Sequence, residues 1–158
     1  MGRRRTLKAV IYVCMVIIII CIFCIARQNE SPSVVFIPDD DATTWAGPKD
    51  IPKKAEEQMI AIPGITEMIF QAGQLVQNVN IYNPEVNECY MQFSLYCDDV
   101  KIWESGYCKP GNGYYEIEIT NPVGIGKHKG NLIYKCFTYD GAELNSARMS
   151  FDIMVEGE

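Results

Sequence analysis

The chain has 158 residues, which is enough for one compact domain with some additional sequence and argues against a multidomain enzyme. Hydrophobic residues make up 48% of it and charged residues 22%, which excludes a wholly disordered protein. Residues 1–26 carry four basic and no acidic side chains, whereas the remainder carries ten basic and twenty acidic ones, and an acidic folded part argues against a nucleic-acid partner.

The first element is an unbroken apolar run from Ala9 to Ala26. As a helix it would measure about 27 Å, close to the thickness of the bilayer hydrocarbon, and a helix is the only form that one segment can take in lipid. The positive-inside rule then predicts that residues 1–8 are a cytoplasmic basic N-terminus, that 9–26 form a signal-anchor helix in the lipid of the plasma membrane, and that the C-terminal domain lies outside. The alternative is signal-peptide cleavage after Cys24-Ile25-Ala26, followed by secretion.

Residues 27–58 are predicted to be an acidic linker, since they contain several prolines and no sustained apolar period. The acidic run Asp39 to Asp41 lies within this segment. It lacks the alternating acidic pattern of a calcium loop, so we interpret it as solvated charge.

Residues 59–158 show short alternating runs separated by turn residues, a pattern typical of an all-β domain. The predicted fold is an immunoglobulin-like antiparallel sandwich, with a barrel as the alternative. About eight strands are expected, at 59–62, 67–71, 75–82, 89–97, 102–107, 115–119, 130–139 and 149–155. Alternation predicts that one face of each of four strands points into the core: Cys89, Met91, Phe93, Leu95 and Cys97; Leu132, Tyr134 and Cys136; Tyr115, Ile117 and Ile119; Met149, Phe151, Ile153 and Val155.

Several short segments carry a resemblance to a known group of proteins. They are Ile60-Ala61-Ile62-Pro63-Gly64, Phe70-Gln71-Ala72-Gly73, 80–85, 87–90, Trp103-Glu104-Ser105, Lys109-Pro110-Gly111, 134–137 and 144–147. Together they resemble the ectodomain of small membrane-anchored proteins of Gram-positive Firmicutes, for which no activity is established. Similar sequences sometimes carry the label of a tRNA uracil-5 methyltransferase, but an acidic β-rich domain outside the cytoplasm does not support that activity. The chain departs from the group at Cys97, at Cys108 and at Asp98-Asp99-Val100.

The four cysteines of this domain allow three complete disulfide pairings. Cys89–Cys136 is the leading candidate, because both side chains are expected to face inward from different strands and the resemblance includes both positions. The runner-up is Cys89–Cys108, which a hairpin turning at Asp98-Asp99 would place opposite each other. Cys97–Cys108 would need a departure from a simple hairpin. The cysteine spacings are much longer than those of structural zinc sites, and free buried thiols are the remaining alternative.

The sequence predicts no catalytic, cofactor-binding or metal-binding residues. His128 is the only histidine and is expected in a solvated turn, so a His-dependent triad or a paired-His zinc site cannot form. Glu116 and Glu118 could be read as a glycosidase pair, but an exposed strand face explains them better.

We therefore expect a non-enzymatic interaction or structural module of a bacterial cell envelope, with an envelope or surface protein as its partner. The alternative is a carbohydrate-binding or cell-wall hydrolase accessory domain. That function would need an exposed aromatic platform, with Trp103, Tyr107 and Tyr114 as candidates, or a cleft with convergent carboxylates.

Overall fold

The computed structural model describes residues 15–18, 20, 37–47 and 60–157. The chain divides into two units, Met1–Val34 and Val35–Glu158. In the first unit, residues 15–18 and 20 are helical, and the rest of the predicted 9–26 span lies outside the described residues. Within the described part of the chain, no helix has both the length and the apolar character needed to cross a membrane.

The described residues of the second unit form eight strands in two sheets. The strands are β1 (Thr43–Thr44), β2 (Glu67–Gln71), β3 (Val76–Tyr82), β4 (Tyr90–Cys97), β5 (Val100–Glu104), β6 (Asn112–Glu118), β7 (Gly126–Phe137) and β8 (Glu143–Glu156). One sheet has the order β1-β6-β3 and the other β2-β8-β7-β4-β5. All pairs are antiparallel except β2 and β8, which run parallel. The all-β prediction is confirmed.

Strand alternation explains the core. The inward positions of β4 and β7 that the sequence pattern predicts are all buried, and Met91, Phe93 and Leu95 have no exposed surface. Side chains from both sheets join the same hydrophobic cluster, for example Val79 of β3 and Ile153 of β8. The two sheets therefore share one core, which lies between β3 and β6 on one side and β8, β7 and β4 on the other.

Part of the predicted linker belongs to this folded unit. Thr43 and Thr44 pair with β6, and the Trp45 ring is buried between Tyr82 and Tyr115, with ring centroids 4.6 Å and 4.5 Å away. Stacked aromatic pairs of this kind contribute beyond the area that they bury. Residues 37–47 thus pack on the β domain, whereas 27–36 and 48–59 lie outside the described residues.

Two of the strand predictions differ from the structure. Residues 60–62 form no strand, because Ala61 exchanges both of its backbone hydrogen bonds with the side chain of Asn87 rather than with a neighbouring strand. Tyr115 was expected to face the core together with Ile117, yet it is exposed and Tyr114 is buried instead. A register shift between β3 and β6 at Asn78 to Ile81 accompanies this change of side.

The β4–β5 turn has an unusual backbone. Cys97 pairs with Val100, so Asp98 and Asp99 are the two central residues of a tight hairpin, and both have positive φ, 47° and 66°. This left-handed conformation favours asparagine or glycine, and aspartate adopts it more readily than bulkier residues do. Asp98 is held there because its carboxylate accepts a hydrogen bond from the Lys129 backbone N–H at 2.9 Å.

Candidate functional site: an acidic cleft

One concave surface of the described residues is a cleft of about 530 Å³. We call it the acidic cleft, and its lining residues are Asp39, Asp41, Thr43, Asn78, Trp103, Glu104, Ser105, Tyr114, Tyr115 and Glu116. Strands β3, β5 and β6 supply six of these residues, the 37–47 segment supplies three, and Ser105 directly follows β5. Because both sheets contribute, pairing and packing of the strands hold the walls of the cleft in place.

Asp39 fixes one wall of the cleft through its carboxylate. Oδ2 accepts hydrogen bonds from the Gly106 backbone N–H and from the Tyr114 hydroxyl, both at 2.7 Å, and Oδ1 accepts one from the Asp41 backbone N–H at 3.0 Å. The Asp39 backbone N–H also donates to the Tyr107 carbonyl at 3.0 Å. A Cβ atom at position 106 would lie only 2.9 Å from the Asp39 side chain, so glycine allows this close approach. Asp39 is therefore a structural clamp rather than solvated charge.

Aromatic rings form the apolar part of the cleft. The half-buried Trp103 ring meets buried Tyr114 edge to face, with centroids 5.1 Å apart. Burial raises the pKa of the Tyr114 phenol, and its hydrogen bond to the Asp39 carboxylate raises it further, so the hydroxyl stays a donor. Tyr115 stacks on Trp45, and its hydroxyl accepts a hydrogen bond from the Ala46 backbone N–H at 2.7 Å.

Carboxylates give the cleft its charge. Asp41, Glu104 and Glu116 are exposed, and no lysine or arginine is among the described residues that line the cleft. Hydrogen bonds from the Lys101 ammonium, at 2.9 Å, and from the Ser94 hydroxyl lower the pKa of Glu104, which keeps this group ionised. The cleft is therefore an anionic surface with an aromatic wall.

The structure separates some of the residues that the sequence singles out. Trp103 and Tyr114 meet in the cleft, whereas Tyr107 packs against Phe137 and Tyr90 elsewhere, with centroids 5.2 Å and 6.5 Å away. Trp103, Tyr107 and Tyr114 therefore do not form one exposed aromatic platform. Glu116 lines the cleft, but Glu118, two residues later on the same strand, is not among the lining residues.

All four cysteines of the β domain are buried and are free thiols in this structure. Cys89 and Cys136 nevertheless share a side-chain hydrogen bond, which lowers the pKa of Cys89 and raises that of Cys136, while burial raises both. The two thiols named as the leading disulfide candidate thus lie close enough to interact. Their oxidation to a disulfide stays a prediction.

The register of β4 differs from the one behind the runner-up pair. The turn lies at Asp98 and Asp99 as expected, but the pairing of β4 with β5 shifts by one residue between Leu95 and Tyr96. The pairing shifts by one more residue between Ser94 and Met91, so that Cys108 exchanges backbone hydrogen bonds with Met91, at 3.0 Å and 2.8 Å, rather than standing opposite Cys89. Burial raises the pKa of the Cys108 thiol to about 12 and that of Cys97 to about 11.

His128 lies on strand β7 and not in a solvated turn, so this part of the sequence interpretation is wrong. Its Nδ1 is 2.7 Å from Asp98 Oδ2, and its Nε2 is 2.8 Å from the Gly124 carbonyl oxygen. The contact with the carboxylate raises the pKa of His128 and lowers that of Asp98. Periodicity did hint at this position, because His128 precedes the buried Leu132 by four residues and so shares its face of β7.

The chain matches no family model, no curated protein and no solved structure. A proposal for its function therefore rests on the geometry of the chain itself.

Proposed function

We propose that this chain is a membrane-anchored, extracytoplasmic interaction module of a bacterial cell envelope, that it has no catalytic activity, and that its acidic cleft docks a lysine- or arginine-bearing segment of a surface protein. The observation that carries the proposal is the combination of exposed carboxylates with an aromatic wall in one cleft. A cationic side chain gains from both groups, by ion pairing and by a cation–π contact.

The cleft offers more charge than its own contacts neutralise. The Asp39 carboxylate is occupied by internal donors, and Glu104 is paired with Lys101. Asp41 and Glu116 stand exposed at the same cleft, so they are the groups available to a cationic partner. A volume of about 530 Å³ lies within the range of pockets that accept a small ligand, which suits one or two long basic side chains.

The proposed architecture is an immunoglobulin-like antiparallel sandwich after an N-terminal transmembrane helix and a linker. The strand order supports it: β3 pairs with β6 as the B and E strands do, and β8, β7 and β4 adjoin as G, F and C do. Such domains bind ligands at their strand edges and end loops, and the edge strand β5 forms part of the acidic cleft. Membrane anchoring follows from the apolar 9–26 run, with secretion after cleavage as the alternative.

A charge-matched pair of double variants tests the docking cleft. Asp41→Asn with Glu116→Gln should weaken binding of a fluorescent oligolysine peptide by about 5- to 10-fold, since each exposed charge pair contributes about 0.2–1 kcal/mol. Glu118→Gln with Glu143→Gln removes the same charge from exposed positions that do not line the cleft and should leave the affinity within about 2-fold. Fluorescence anisotropy of the full-length protein in detergent at low and physiological salt measures both.

Equal losses in the two double variants would contradict the cleft, because they would show attraction by overall charge alone. A neutral peptide of the same length provides the baseline, and thermal unfolding of each variant verifies that the fold is intact.

Protease accessibility tests the sidedness of the anchor. Protease added to intact cells should remove the C-terminal domain while it spares residues 1–8, because the positive-inside rule places only the latter in the cytoplasm. Antibodies against tags at each terminus detect the two products. Protection of the C-terminal tag until the cells are lysed would overturn the extracytoplasmic assignment.

A further inference from the structure

Three potential metal ligands converge at the β4–β5 turn, away from the acidic cleft. One donor atom each from Cys97, Asp98 and His128 lies within 4.8 Å of the other two. Cys97 is buried, the Asp98 side chain is exposed, and the His128 side chain is 21% exposed. The cluster thus has a closed side toward the core and an open side toward solvent.

The backbone explains why two consecutive residues can point to one site. Successive side chains of a strand alternate between faces, so Cys97 and Asp98 would normally diverge. The positive φ of 47° at Asp98 ends that alternation at the turn. The Asp98 N–H donates to the Lys129 carbonyl at 2.9 Å, which brings the turn against β7 next to His128.

Both polar ligands already have partners of the kind that orient metal ligands. The Gly124 carbonyl can only accept, so His128 Nε2 carries a hydrogen, and this contact of 2.8 Å directs Nδ1 toward Asp98. Asp98 Oδ1 is held by the Lys129 N–H at 2.9 Å, which leaves Oδ2 facing Nδ1 at 2.7 Å. Metal-binding histidines characteristically donate their second N–H to a carbonyl or carboxylate in this way.

We propose that Cys97 Sγ, Asp98 Oδ2 and His128 Nδ1 form a Zn²⁺ site whose fourth position is open to solvent. Zn²⁺ binds sulfur, nitrogen and oxygen donors. In zinc sites that are open to solvent, three protein ligands and one water commonly complete a tetrahedral coordination. Tetrahedral coordination requires Oδ2 and Nδ1 to separate to about 3.3 Å, a small adjustment of two side chains at the surface. Binding releases the thiol proton and any proton between Nδ1 and Oδ2 to solvent.

The surroundings allow a cation to enter. Asp98 and His128 border an open depression that also contains Lys127, Lys129 and Asp152. Lys127 is paired with Asp152 at 2.9 Å, which offsets part of its charge. The competing occupant is a single proton, which would leave the Cys97 thiol uninvolved. Participation of the Cys97 thiol therefore distinguishes bound Zn²⁺ from a bound proton.

Zn²⁺ and Co²⁺ titration of the reduced, full-length protein in detergent tests the site. We expect one Zn²⁺ per chain by competition with a chromophoric chelator, and thiolate-to-cobalt charge-transfer absorption with Co²⁺. Cys97→Ser should abolish that absorption and weaken binding by at least about 100-fold, since loss of even an outer partner of a metal ligand costs about 10- to 100-fold. Asp98→Asn and His128→Gln should weaken Zn²⁺ binding similarly.

Cys108→Ser is the matched control, because it removes another buried thiol outside the cluster and should leave both signals unchanged. Added Zn²⁺ should raise the unfolding temperature of the parent protein but not of the Cys97 variant. Absence of saturable binding, or a Cys97→Ser variant that keeps the affinity and the absorption, would overturn the proposal. If Cys97→Ser does not fold, an unchanged Zn²⁺ affinity of the Asp98→Asn and His128→Gln variants would overturn the proposal instead. Peptide docking at the acidic cleft is measured separately, so each proposal can fail alone.

Discussion

Replacing Asn83 by alanine is expected to lower the free energy of unfolding by about 3–5 kcal/mol, because it removes the centre of a fully buried polar network. Asn83 Nδ2 donates to the carbonyls of Cys89 and Cys108, at 2.9 Å and 3.0 Å, and its Oδ1 accepts from Asn87 Nδ2 at 2.9 Å. Asn87 in turn pairs with both backbone groups of Ala61. One substitution therefore removes three hydrogen bonds from the buried network and opens a cavity.

Equilibrium urea unfolding of the full-length protein measures this loss. Asn80→Ala is the matched control, because Asn80 is an exposed asparagine on the neighbouring strand β3 and its loss should change stability by less than about 0.5 kcal/mol. Asn83→Asp keeps the size of the side chain but removes both donors, so it should be at least as destabilising as alanine. A loss below about 1 kcal/mol for Asn83→Ala would contradict the role of the network.

The second large effect is expected for Asp39→Ala, at about 2–3 kcal/mol. The substitution removes the acceptor of the Gly106 N–H and of the buried Tyr114 hydroxyl, and hydrogen bonds to charged groups contribute about 1.5–3 kcal/mol. Ser105 lies close enough to Tyr114 to recover part of the loss. The 37–47 segment should also loosen, which denaturation and hydrogen exchange of the Trp45 region would detect.

The adjacent residue supplies the control for this prediction. Asp40→Asn alters an exposed carboxylate of the same acidic run and should leave stability within about 0.5 kcal/mol. A double-mutant cycle with Tyr114→Phe isolates the hydroxyl–carboxylate contact, and we expect the two losses to be clearly non-additive. Additive effects would show that Asp39 does not act through Tyr114.

Much of the β architecture is predictable from local pattern. The alternation in 89–97 identifies the buried face of β4, and the apolar residues Leu132, Tyr134 and Cys136 identify that of β7. Both inferences are possible because side chains alternate between the two faces of a strand, so residues two apart share a face. Strand β2 is found at the predicted bounds, Glu67–Gln71. Sequence alternation does not reveal a register shift, and for this reason it predicts that Tyr115 rather than Tyr114 faces the core.

The candidate site was much less predictable than the strands. Asp39 reads as solvated charge because its partners, Gly106 and Tyr114, are 67 and 75 residues away in sequence. Trp45 belongs to a proline-containing stretch without alternation, and only its stacking on Tyr82 and Tyr115 shows that this stretch joins the fold. Asn83 and Asn87 resemble ordinary turn residues, and their burial depends on contacts that no local rule contains.

The parallel pairing of β2 with β8 also determines how the domain bears mechanical load. Glu67 at the start of β2 stands opposite Asp152, and Gln71 at its end stands opposite Glu156, close to the carboxyl terminus. Tension that pulls the amino-terminal side of β2 away from the carboxyl-terminal end of β8 therefore slides the two strands along each other. Their hydrogen bonds are then strained together in shear instead of being opened one by one, an arrangement that resists separation of β2 from β8.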